Sequence, residues 1–299
     1  MTSVAVIGLN GRLGKPIIES LLSEPFISKI NTPIKLLTTN SDKQVVSNDK
    51  LQYINYKTLD GGLKTALKDV DVVINLGNIP KSPIQDILDA IIANNVKLYI
   101  PSQFGTDLQA TEVDFPGFLN VKTQHSKAAR DAGIKTVDVI TGLFIEDDQT
   151  YSGRPFGVFN FNEEKKEIEI IGDEDESIQL NPSFFRDIGN SVAAIVTSSD
   201  YSKIPNRVRI FSDKVTLGDY IKRYENQTGI KLNRTYKKVD EIVQEAKLKY
   251  QNFSFADFGF YLKTFAAQGE NKGLTFEKEN EKEIINPNES LFKWTKYVV

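Results

Sequence analysis

Three glycines, Gly8, Gly11 and Gly14, are spaced as a chain needs them to wrap a phosphate. Val4, Ala5, Val6 and Ile7 precede them, and Ile17, Ile18, Leu21 and Leu22 follow at helical spacing. A continuous apolar run reads as a strand buried on both faces, and a repeat every three to four residues reads as a helix. Where a parallel strand feeds a helix, the free amides and the positive end of the helix dipole favour a phosphate. Gly8 permits the tight turn, Gly11 leaves room for a pyrophosphate, and Gly14 lets the helix pack on the strand. Pro16 suits the first helical turn, where a missing N–H costs little. A glycine triplet alone is a weak signal, and a plain strand–helix turn can carry one; the strand before and the helix after favour a dinucleotide site. Asn10, Arg12 and Leu13 complete the loop and are assigned to the cofactor with the glycines.

The end of the second strand, Ile34 to Thr38, bears on which dinucleotide is held. An acid at its tip would accept from a ribose 2′-hydroxyl and select NAD. Thr38, Thr39, Asn40 and Ser41 stand there instead, with Lys43 close by and Arg12 within the glycine loop. Hydroxyls, an amide and two cations favour a 2′-phosphate, hence NADP. Asp42 keeps NAD open, and Arg12 and Lys43 could equally be solvated.

Composition excludes several other chemistries. The 299 residues carry a formal charge of -3 with mixed signs, so no basic footprint for nucleic acid is expected. Cysteine is absent, which removes disulfides, thiolate nucleophiles and cysteine metal sites. His125 is the one histidine, so no metal site is expected. The chain enters a strand at once without a signal peptide, and no apolar run approaches the roughly 20 residues of a membrane span. A soluble, cytoplasmic protein is the expectation.

The elements that must position these groups alternate. Strands are expected at Leu51 to Tyr56, Val70 to Leu76, Lys97 to Ile100 and Thr136 to Thr141, with helices over Thr58 to Lys68 and Pro83 to Asn94. Such alternation implies a parallel α/β sheet with right-handed crossovers. Ligands lie at carboxyl ends of strands, which places Gly77, Asn78 and Ile79 against the cofactor, and Phe144 near it. Organisation changes near Tyr151, giving a dinucleotide-binding domain over 1–150 and a smaller α+β substrate lobe over 151–299. Residues 205–212 read as a strand rejoining the sheet. Helices follow at Phe185 to Thr197, Leu217 to Thr228, Val239 to Lys249 and Phe255 to Ala267. Seven aromatic residues between Tyr250 and Phe265 either roof a pocket for a flat substrate or pack the small lobe or a subunit contact. A homodimer is left open.

A further helix is expected from Phe118 to Arg130, with Phe118 and Lys122 one turn apart on one face. Together with the GxxGxxG loop, the segment Pro101-Ser102-Gln103-Phe104-Gly105, Val121-Lys122 and Asp187-Ile188-Gly189, the chain resembles the NmrA-like family of atypical short-chain dehydrogenases/reductases. It is most similar to the branch of isoflavone reductase, phenylcoumaran benzylic ether reductase and pinoresinol-lariciresinol reductase. The resemblance covers most of the chain and is strongest up to about residue 145.

The resemblance implies an NAD(P)-binding Rossmann fold with a doubly wound parallel sheet and NADPH-dependent reduction of a small, often aromatic, molecule. It implies that Lys122 is the general acid/base and also contacts the cofactor, and that Ser102, Gln103 and Phe104 line the nicotinamide pocket. The tyrosine that ordinary short-chain dehydrogenases place one turn before the lysine is replaced by Phe118, which transfers no proton. Gln103 stands where many relatives have Glu. An apolar wall with Phe118 is expected to desolvate Lys122 and lower its pKa. His125 reads as solvated or capping, with proton transfer as the alternative. The competing function is a regulator, like other NmrA-like proteins, that binds NAD(P) and a protein partner without turnover. Phe118 favours that reading and Lys122 opposes it.

Overall fold

The computed structural model describes residues 1–39, 47–77, 83–145, 160–162, 164–172, 174, 176–278 and 280–299. The first half runs β1 (Thr2–Ile7), α1 (Gly14–Leu21), β2 (Ile30–Thr38), β3 (Leu51–Asn55), α2 (Gly62–Ala66), β4 (Val72–Asn75), α3 (Ile84–Ala93), β5 (Leu98–Ile100), α4 (Leu108–Thr111), α5 (Asn120–Asp131) and β6 (Asp138–Ile140). Then follow β7 (Leu143–Ile145), β8 (Asn160–Asn162), β9 (Glu167–Ile171), β10 (Gln179–Leu180), β11 (Pro182–Phe184), α6 (Phe185–Val196), β12 (Arg207–Arg209), β13 (Val215–Thr216) and α7 (Leu217–Thr228). The chain closes with β14 (Asn233–Lys237), α8 (Val239–Tyr250), α9 (Phe258–Ala267) and α10 (Lys282–Ile285).

Five strands form a parallel sheet in the order β3-β2-β1-β4-β5. Val4, Ala5, Val6 and Ile7 are all buried, as the apolar run requires. A parallel bridge from Tyr99 to Thr136 continues the sheet toward β6, and β12 pairs with β6 in parallel, Val208 opposite Val139. A second parallel pair joins β7 to β11. On a separate small sheet β9 lies between β14 and β8.

One apolar core runs between the sheet, α1 and α6, and a second fills the space among α7, α8, α9 and β9. Contact between α1 and α6 is at backbone distance: a Cβ on Gly189 would lie 2.4 Å from the Pro16 carbonyl. Asp187 beside it accepts the Thr295 N–H at 2.8 Å and the Thr295 hydroxyl at 3.0 Å, which holds the C-terminal segment on α6. Helix α7 starts at a capping box between Thr216 and Asp219 and stops at Gly229, whose φ is 71°.

Three helices are shorter than their sequence patterns suggest, and α9 begins only at Phe258, after a 3-10 turn over Phe255–Asp257. Gly61 and Gly62 have φ of 78° and 55°, so α2 cannot begin at Thr58. Leu119 has φ of 50°, so α5 begins at Asn120 and Phe118 lies outside it. Phe118 and Lys122 therefore do not share a helical face. Among the described residues, no helix is long and apolar enough to cross a membrane, and no cluster of acidic or histidine side chains could hold a metal.

Candidate active site

The glycine loop is built by close approach. Gly8 has φ of 84°, and a Cβ there would lie 2.6 Å from the Gly77 amide nitrogen, in the turn that ends β4. A Cβ on Gly14 would lie 2.0 Å from the Leu9 carbonyl oxygen, so Gly14 is required by the loop's own backbone. A Cβ on Gly11 would come no nearer than 4.0 Å to the Gly8 carbonyl oxygen, so the loop is open there at the start of α1. The first turn of α1 carries no acid, so its positive end is not neutralised from within. Asn10 is exposed and Leu13 packs on the sheet core.

Beside this loop is a cavity of about 320 Å³. Arg12, Gln103, Phe104, Lys122, Phe144 and Phe258 line it, with leucines that include Leu262 of α9. Arg12 from the loop after β1, Gln103 and Phe104 from the segment after β5, Lys122 from α5 and Phe144 from β7 are thus brought together. Lys122 sits in the first turn of α5, half-buried, and burial lowers its pKa from the ordinary lysine range to about 8 against the opposing pull of Asp138. Lys122 is desolvated as expected, and Phe118 does not line the cavity that Lys122 faces. The Phe118 ring is 1% exposed and lies in an aromatic cluster, stacked on Phe258 at 6.1 Å and edge-on to Phe265 at 5.2 Å.

Gln103 serves α5 directly. Its side-chain amide donates to the Lys122 carbonyl at 2.8 Å and to the Ser126 hydroxyl at 2.7 Å. An amide has two N–H donors, and both are used here, so Gln103 pins the lysine helix to the end of β5. A glutamate at this position would bring no donor. Ser102 is half-buried and does not line the cavity.

His125 is neither solvated nor a cap. It is 4% exposed, and its Nε2 is 2.7 Å from the Tyr99 hydroxyl. Of the aromatic stretch, Phe258 reaches the cavity, while Tyr261 and Phe265 are buried in packing with Phe115.

The strand-tip residues separate from Arg12. Thr38 ends β2 opposite Asn55, and Thr39 lines a second groove of about 690 Å³ with Tyr56, Lys57, Leu59 and Gly61. Arg12 lines the Lys122 cavity and not this groove. Asn40, Ser41, Asp42, Lys43, Asn78 and Ile79 lie outside the described residues, as do 151–159. Tyr56 and Lys57 were missed in the sequence, although they follow β3 and the strand-end rule that found Gly77 applies to them equally.

A glycine loop at the carboxyl edge of a parallel sheet defines a Rossmann-type α/β protein. The model of the NmrA-like family matches residues 1–282, and the chain belongs to that family. It is similar to the isoflavone reductase homolog IRL of Zea mays, 26% identical over 194 residues that cover 62% of this chain. The match spans 59% of that maize protein. Among solved structures, AtPrR2 with NADP+ and (+)-pinoresinol has the same fold at 19% identity and a TM-score of 0.67, covering 98% of this chain and 96% of that one. Leucoanthocyanidin reductase of Vitis vinifera, in a ternary complex, gives 17% identity and a TM-score of 0.64, covering 93% of this chain and 89% of that one.

Proposed function

We propose that the protein is an NADPH-dependent reductase of a small aromatic or carbonyl substrate, with Lys122 as its general acid/base. The observation that carries this reading is the single cavity in which Arg12 of the glycine loop meets Lys122. Family membership and the NADP+ in the AtPrR2 structure support the choice of cofactor. The chain's own geometry fits a dinucleotide: the Gly8 and Gly14 positions admit no side chain, and the face at Gly11 is open.

The pyrophosphate would rest on the Gly8–Gly14 loop, and the adenosine end would take the groove of Thr39, Tyr56 and Lys57. When bound, NADPH supplies hydride. Lys122 holds the proton at Nζ and delivers it to the substrate atom that gains electron density. A pKa of about 8 keeps that proton present at neutral pH yet transferable. Phe144, Phe258 and Leu262 exclude water and seat an apolar ring. Gln103 and Phe104 shape the floor, with Gln103 acting through α5. We assign residues 1–150 to the dinucleotide and 151–299 to a substrate lobe, with 205–212 returned to the sheet.

Calorimetric titration with NADPH, NADP+, NADH and NAD+ tests the proposal. The phosphorylated pair is expected to bind about tenfold tighter, as a charge-assisted phosphate contact would give. Arg12→Ala then separates two contacts: loss with all four ligands marks the pyrophosphate, and loss with the phosphorylated pair alone marks the 2′-phosphate. Preference for NAD+ over NADH and NADP+ would instead favour a redox-sensing regulator. Failure of all four to bind would overturn both readings.

A further inference from the structure

Helix α5 carries a second chemically equipped side chain behind Lys122. The Nδ1 of His125 is buried without a hydrogen-bond partner, while its Nε2 meets the Tyr99 hydroxyl at 2.7 Å. Tyr99, in β5, is fully buried, and its hydroxyl also takes the side-chain amide of Asn75 at 3.1 Å. Asn75 ends β4 and is 1% exposed; its Oδ1 accepts the Gly77 N–H at 2.9 Å.

The direction of each proton follows from the first bond. A backbone N–H only donates, so Asn75 turns Oδ1 to Gly77 and Nδ2 to Tyr99. Tyr99 accepts from Asn75, which leaves its own proton for His125 Nε2. This arrangement strands one group, the Nδ1–H of His125. Reversing the last bond would strand two, the phenol proton and the Nδ1 lone pair, at a larger cost of burial. Burial also raises the Tyr99 pKa and lowers that of His125, so both side chains are held neutral.

We propose that His125, Tyr99 and Asn75 are positioning residues that hold the Gly77 turn against the glycine loop and fix its distance from Lys122. The inference rests on the dinucleotide reading of that loop. Gly77 is the contact point, because its amide nitrogen lies 2.6 Å from the place a Cβ on Gly8 would take. A displaced Gly77 turn therefore displaces the loop. At the other end, His125 lies one helical turn beyond Lys122 on α5. One run of bonds thus sets two walls of the same site, and neither His125 nor Tyr99 lines the cavity itself.

The test compares NADPH dissociation constants for the unsubstituted protein, Tyr99→Phe, His125→Leu, the double variant and His125→Gln, with unfolding temperature followed in parallel. Tyr99→Phe, which strands Asn75 Nδ2 and His125 Nε2, and His125→Leu, which strands the Tyr99 proton, are each expected to weaken NADPH by about five- to tenfold. The double variant should be no weaker than either single one, since both break the same bond. His125→Gln, whose Oε1 can accept the phenol proton, should recover affinity to within about twofold. If Tyr99→Phe does not fold, the contrast between His125→Leu and His125→Gln decides. Lower unfolding temperatures with unchanged NADPH affinity would overturn the proposal and leave the dinucleotide reading standing. No binding by the unsubstituted protein would overturn the dinucleotide reading itself.

Discussion

Lys122 and Lys282 both lose their ordinary basicity to burial, and both arrive at a pKa of about 8. Their surroundings differ in kind. Lys122 faces a cavity of about 320 Å³, beside Arg12 and Phe144. Lys282, the first residue of α10, lies over the rings of Phe211 and Trp294, with its ammonium 4.3 Å from each centroid. Lys296 lowers its pKa further, against Asp187, Asp213 and Glu289. Two cation–π faces and the Ser212 carbonyl, at 3.4 Å, hold the ammonium in place of a reactant. A shifted pKa therefore marks a candidate, and open volume beside the group separates a proton donor from a packed cation.

The comparison can be broken most directly at Lys122. Lys122→Met is expected to reduce turnover by about 10²- to 10⁴-fold, the usual worth of a general acid, while the unfolding transition stays cooperative. Full activity in that variant would remove Lys122 from the mechanism. The next largest effect is on pH. A donor must carry its proton, so kcat/KM for reduction should be flat below pH 8 and fall about tenfold per unit above it. Because Lys282 titrates in the same range, the profile of Lys282→Met sharpens the assignment: it should retain the same fall. If the fall disappears there, the roles of the two lysines are exchanged. The smallest effect is on rate in Lys282→Met at neutral pH, expected within about twofold of the unsubstituted protein, as for surface and packing changes away from a site.

The parts of this picture legible in the sequence are those set by local period. The apolar run before Gly8, the glycine spacing and the helical repeat of Ile17, Ile18 and Leu21 each depend on a few neighbouring residues. The start of α5 did not read correctly, because Leu119 has no propensity for a positive φ; Pro116-Gly117 just before it was the available sign of a turn. His125 was misread for another reason. Its partner Tyr99 is 26 positions away and becomes a neighbour only when α5 packs on β5. Arg12 likewise carries a charge suited to either phosphate, and its direction is set by the folded loop.

The contact of Gly189 with Pro16 has a consequence for the order of events during synthesis. Helix α1 follows the glycine loop, yet the surface it rests on is made from α6, some 170 residues later. At roughly 5–20 residues per second the ribosome needs on the order of ten to thirty seconds to supply it. Until then Ile17 and Leu21 have no partner from α6, and the packing behind the glycine loop waits for that later segment to be translated.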